Sequence, residues 1–167
     1  AAYDFSDMNR RHIDAKGDVA HLDIDAAELQ GNRVTATLGE KTRLIVNVDA
    51  EGAGNITLPQ LDVDGINHAE YAHWTDKGVV YNLTDSKSED GQYHGRVGTA
   101  GATSSVILAP EADVDASQNV EGQIIARNVV IGGEFHRNSV NVPITRHVEV
   151  KLDGQDKTET TPFVAPQ

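Results

Sequence analysis

The 167-residue chain has no cysteine, which removes both a disulfide framework and a thiolate metal site. Aromatic residues make up 5% and tryptophan occurs once, so any core must be built from Val, Ile, Leu and Ala. Thin stacked layers suit that palette better than an interior organised around large rings. No apolar run approaches the ~18 residues of a membrane-spanning helix, and no charged-then-apolar leader opens the chain. Basic residues are scarce too: 14 Lys and Arg against 26 Asp and Glu leave a formal charge of −12. Such a surface repels phosphates and anionic headgroups, so neither nucleic acid nor membrane insertion is expected. The opening Ala1–Phe5 reads as a cut inside a larger multidomain protein, with signals and anchors outside it.

What the chain does have is short β-type segments punctuated by glycine. Val34-Thr35-Ala36-Thr37-Leu38 alternates apolar and polar residues, the mark of a half-buried strand. Two stretches repeat each other: with Ile107 laid on Ile124, Leu108 falls on Ile125, Ala109 on Ala126, Ala112 on Val129 and Val114 on Ile131. An offset of 17 is short for helical repeats, which need roughly 33 residues or more, and suits a coil of strands that stacks on itself. Leu44–Val48 and Val79–Leu83 echo each other at 35, about twice that offset, and each carries an asparagine between apolar neighbours. Asn47 and Asn82 are therefore expected in a ladder of amides bonding along the stack, the alternative being that each closes its own local turn.

The expected fold is all-β: a β-solenoid, a right-handed parallel β-helix with turns of about 17 to 20 residues. Residues 1–18 form a lead-in, 19–145 the solenoid, and 146–167 a C-terminal strand and linker toward a downstream stalk domain. Leu108, Ile125, Ala109 and Ala126 should be buried. The polar insertion Thr84 to Thr103 should leave the coil as a loop.

Motifs of catalysis are missing. Seven histidines show no His-Glu-x-x-His spacing; Gly-x-Ser-x-Gly elbows, phosphate loops and dinucleotide fingerprints do not occur. Acidic pairs two apart, Asp23/Asp25, Asp62/Asp64 and Asp113/Asp115, point to one side of a strand and suit a calcium ion or a glycosidase. With this many acids such pairs arise easily and solvated faces are the default reading, so no catalytic residue, metal or cofactor is expected.

The order Ile45–Val48, Val80–Leu83, Val106–Pro110, Gly122–Ala126 and Gly132-Gly133-Glu134-Phe135-His136 resembles the choice-of-anchor A domain of bacterial surface proteins, over about residues 19 to 140. Tyr81 departs from it by standing where that family has Trp, and the N-terminal part of the pattern is missing, so the resemblance is to the C-terminal portion. It implies an adhesive or ligand-presenting, non-enzymatic module of a Gram-positive adhesin, outside the cell on the wall or a surface appendage. A host extracellular matrix protein or glycan would be the partner. The alternatives are a carbohydrate-active β-helix enzyme and a structural spacer. Loops leaving a coil are free to vary, so contacts are expected at Tyr71, His73 and Trp74 and at Tyr93, His94 and Arg96, the alternative being that Tyr71 and Trp74 cap one end of the core.

Overall fold

The computed structural model describes residues 1–65 and 78–136, and the backbone of 144–152 and 155–163. Strict alternation shapes the centre of the chain. Strands β3 (Val19–Asp25) and β5 (Arg43–Asp49) bury every second residue, Ala20, Leu22 and Ile24 in one, Leu44, Val46 and Val48 in the other. They pair in parallel with Leu22 beside Val46, and β8 (Gly78–Thr84) pairs with β5 in the same sense with Tyr81 beside Val46. The first part of β10 (Val106–Ala116) then sets Ile107 beside Tyr81, and β11 (Gln123–Ile131) sets Ile124 beside Ile107. One apolar column, Leu22–Val46–Tyr81–Ile107–Ile124, so runs through five passes of the chain.

Two further sets of strands flank this one. β2 (His12–Ala15), β4 (Arg33–Leu38) and β7 (Gln60–Val63) pair in parallel, with β1 (Ala2–Asp4) antiparallel on β2. β6 (Asn55–Leu58), β9 (Arg96–Thr99) and the later part of β10 also pair in parallel, and β11 adds to β10 there. The single-turn helix α1 (Ala26–Leu29) follows β3 as β6 follows β5, and buries Ala26 and Leu29. The architecture is all-β apart from that turn, its strands mostly parallel in a curled, half-barrel sheet. Among the described residues, β12 (Ile144–Leu152) and β13 (Gln155–Phe163) pair only with each other, antiparallel.

Several sequence expectations change. The repeat at 17 holds for Ile107, Leu108 and Ala109, but Val114 then pairs with Val129 and Ala116 with Ile131, so Ala112 does not stack on Val129 nor Val114 on Ile131. Pro110, which has no N–H to give the ladder, stands at the break. There β10 passes three residues, 110–112, where β11 passes Arg127 alone. Nor is 17 the general period. From Leu22 to Val46 is 24 residues, to Tyr81 a further 35, to Ile107 26 and to Ile124 17, so the Asn47–Asn82 interval is one pass and not two. Parallel pairing fixes which residues face inward, and the connections between strands absorb the differences in length.

The same alternation turns Leu108 and Ile125 outward: Ile107 and Ala109 are buried, Leu108 is half-buried and Ile125 is 46% exposed. The insertion is also more ordered than expected. Residues 85–95 form turns, but Arg96–Thr99 is β9, paired on both sides, and Tyr93 lies in the core. At the N-terminal end Ile13 and Ala15 of the lead-in are buried within the stack, and at the C-terminal end residues 158–163 of the linker belong to β13.

Ile107→Ala should lower unfolding free energy by ~2–5 kcal/mol, since a side chain with no exposure leaves a cavity. Ile125→Ala should cost about 1 kcal/mol or less in the same urea titration. Equal losses would contradict the inward–outward assignment.

Candidate functional site

The outward side of the strands carries polar ladders built by pairing alone. Asn82 Nδ2 donates to Asn47 Oδ1 at 3.1 Å, and Asn47 Nδ2 donates to Asp23 Oδ1 at 2.7 Å. The expected amide ladder is therefore present and ends on a carboxylate. Next to it, Asp25 of β3 pairs with Asp49 of β5, which puts two carboxylates side by side. With Tyr3, Asp23 and Glu28 they line an acidic cleft of about 440 Å³. Tyr3 bonds Glu28, which raises the phenol's pKa; Asp49 is pulled upward by burial but lowered overall, because the amides of Ser86 and Glu51 bond its carboxylate.

Oxygens of Asp25, Asp49 and Glu51 lie within 4.8 Å of one another, and among the described residues this is the group close enough to share a cation. Exposed acids gather in this way without a metal as well, so the grouping does not by itself make a metal centre.

A second polar face covers β6, β9 and the later parts of β10 and β11. Pairing aligns Asn55, Arg96, Asp113 and Asn128 in one row and Thr57, Gly98, Asp115 and Val130 in the next. Asp113 is the electrostatic centre. Arg127 grips it with both ends of its fork, Nε to Oδ1 at 3.1 Å and Nη2 to Oδ2 at 3.0 Å, while Asn128 Nδ2 donates to Oδ1 at 2.8 Å. Those bonds, and the charges of Arg127 and Arg96, hold the Asp113 carboxyl below the usual range. Arg96, Thr57 and Asp115 border a shallow depression of about 260 Å³. Such a surface suits many weak lateral contacts rather than one deeply held ligand.

Of the residues singled out from sequence, Arg96 and His94 are exposed at this face and the turn before it. His94 Nε2 sits 2.8 Å from Asp90 Oδ2. Tyr93, expected as a contact, is 2% exposed; its hydroxyl donates to the carbonyls of Gly54 and Arg96, so it props the turn from within. Burial raises its pKa. Tyr71, His73 and Trp74 lie outside the described residues. Sequence reading missed the union of Arg96 with Asp113, Arg127 and Asn128. The alternation in Ala112–Ala116 already placed Asp113 and Asp115 outward, but the partners of Asp113 depended on the shift at Pro110.

A family model described as "Putative Ice-binding-like adhesive domain" matches residues 2–137, most of the chain. Neither a curated protein nor a solved structure matches it. The match is to an adhesive domain and is not specific to the choice-of-anchor A family.

In the fold, hydrogen bonds hold the carboxyls of Asp4, Asp49, Asp90 and Asp113 below the ordinary aspartate range. A carboxyl with a lowered folded pKa contributes stability that is complete above its unfolded value and lost as pH falls through the folded one. The urea midpoint should therefore lose this contribution as pH drops below about 4. Asp113→Asn should remove part of that acid loss; a midpoint that rises on acidification would contradict the assignment.

Proposed function

We propose a function from the premise that the chain belongs to the ice-binding-like adhesive domain family, whose model spans residues 2–137. The chain is an adhesive domain, and its place is a surface-exposed one. Beyond this, we infer a right-handed parallel β-helix, since parallel crossovers strongly favour that hand and the chain visits its strand sets in one repeated order. Kinship with choice-of-anchor A domains is part of the same reading, resting on the motifs from Ile45 to His136. On it, the molecule is a non-enzymatic module of a wall-attached bacterial adhesin that holds a host matrix protein or glycan. No helix among the described residues is long and apolar enough to cross a membrane.

The family match carries the proposal, and the outer face at Arg96 supports it with an exposed array of guanidinium, carboxylate, amide and hydroxyl groups set at strand spacing. Regular spacing favours ligands that are themselves repetitive and polar. The acidic cleft keeps a second reading open, a carbohydrate-active enzyme, because Asp23, Asp25, Glu28 and Asp49 border one depression.

The isolated chain should bind immobilised collagen, fibronectin or mucin in a surface plasmon resonance panel. The double variant Arg96→Ala with His94→Ala should weaken that binding at least tenfold with an unchanged melting temperature. Retention of full binding would move the contact elsewhere, and no binding to any surface would favour a spacer. Turnover of a polysaccharide that Asp49→Asn abolishes would establish the enzyme instead.

A further inference from the structure

Positive charge is the scarce commodity in this chain, yet three arginines meet at one cavity. Arg10, Arg11 and Arg33 line a space of about 370 Å³ beside β2 and β4, together with Asn32, Thr35 and Met8. Arg33 is answered: its Nε and Nη2 bond the carboxylate of Asp62, which is itself 4% exposed. The other two have no acid partner among the described residues. Arg11 is 3% exposed and spends its fork on carbonyls, Nη1 on Leu29 and Gln30 at 2.8 Å each and Nη2 on Arg33 at 3.1 Å, with its guanidinium over the Phe5 ring and Nε unpaired. Its cation is thus held at the cavity by carbonyl dipoles and the face of the Phe5 ring, with no carboxylate. Gly31 permits this, since a Cβ there would collide with the Arg11 guanidinium. Arg10 is exposed, and its guanidinium makes no bond or ion pair among the described residues.

We propose that this cavity binds the carboxylate or sulfate group of an acidic sugar. An oxyanion seated here meets the free fork of Arg10, with the Asn32 amide offering a neutral hydrogen bond, while the Thr35 hydroxyl at the rim is already engaged by the Arg11 carbonyl and the His12 ring. The oxyanion also supplies the negative charge that the buried Arg11 lacks. The space lies at the lower end of small-ligand pockets, which suits one sugar ring. Met8, 65% exposed, offers an apolar lip to the ring's C–H face. Because the chain as a whole carries −12, attraction to an anion is local to this cavity, and screening by salt should weaken it. The site rests on the glycan form of the adhesive reading but lies apart from the face at Arg96.

The test is a 1H–15N NMR titration of the full chain with sodium glucuronate, glucose and sodium sulfate in separate arms. Glucuronate should give saturable shifts at Arg10, Asn32 and Thr35, weakening at 0.5 M NaCl, while glucose gives none. Arg10→Gln should raise the Kd at least tenfold with an unchanged melting temperature, because the Arg10 guanidinium holds no other group among the described residues; Arg10→Lys should recover part of the affinity. Sulfate shifting the same resonances would support recognition of the oxyanion itself. Scattered or unsaturable shifts, equal response to glucose, or full affinity in Arg10→Gln would overturn the site. The Arg96 and His94 double variant should titrate like the natural chain, so failure of surface adhesion and failure of this site remain distinguishable.

Discussion

The buried core of this molecule depends on parallel strands stacking in register, so that inward residues of one pass lie against inward residues of the next. A strand of four to seven residues cannot bury its apolar side alone. Tyr81 illustrates the dependence: it is buried because Val46 lies on one side of it in the sheet and Ile107 on the other. Aliphatic side chains stacked one strand spacing apart fill most of this core, so few aromatics are needed. Where the chain uses one, at Tyr81 and Tyr93, the position is fully enclosed.

The outer face follows from the inner one. Once alternation commits Leu22, Val46 and Tyr81 inward, Asp23, Asn47 and Asn82 must lie in one outward row, and the amide bonds between them come with little further ordering. The charged row at Asp113 has the same origin. Polar function on this scaffold is thus a consequence of register, and a one-residue slip would exchange core and surface along a whole strand. Connections escape the constraint. The pass from β5 to β8 is longer than that from β10 to β11 by 18 residues (35 against 17), and glycine is needed where passes crowd, as at Gly122, whose Cβ would run into the Ser105 carbonyl oxygen.

How much of this was legible in the sequence follows from the same division. The β character, the stacking of Ile107 to Ala109 on Ile124 to Ala126 and the Asn47–Asn82 ladder were readable, because each depends on local alternation and side-chain type. Turn length is not, because it resides in connections whose composition carries no period, so an offset of 35 reads as two turns although it is one. Burial of Leu108 and Ile125 was misjudged because both neighbours of each apolar pair are apolar too, leaving alternation no contrast. Tyr93 lay in a polar stretch that looked like a loop, and its burial depends on Gly54, 39 residues earlier. The acidic cleft escaped notice for a similar reason: Asp25 and Asp49 are neighbours only at an offset of 24.

The most direct measurement of the stacking is a nuclear Overhauser spectrum of the Tyr81 ring, whose resonances are readily assigned in a chain with four tyrosines. In-register stacking predicts strong cross-peaks from that ring to the methyl groups of both Val46 and Ile107. Cross-peaks to only one of them, or to neither, would contradict the register on which the core, the ladders and the candidate site all rest.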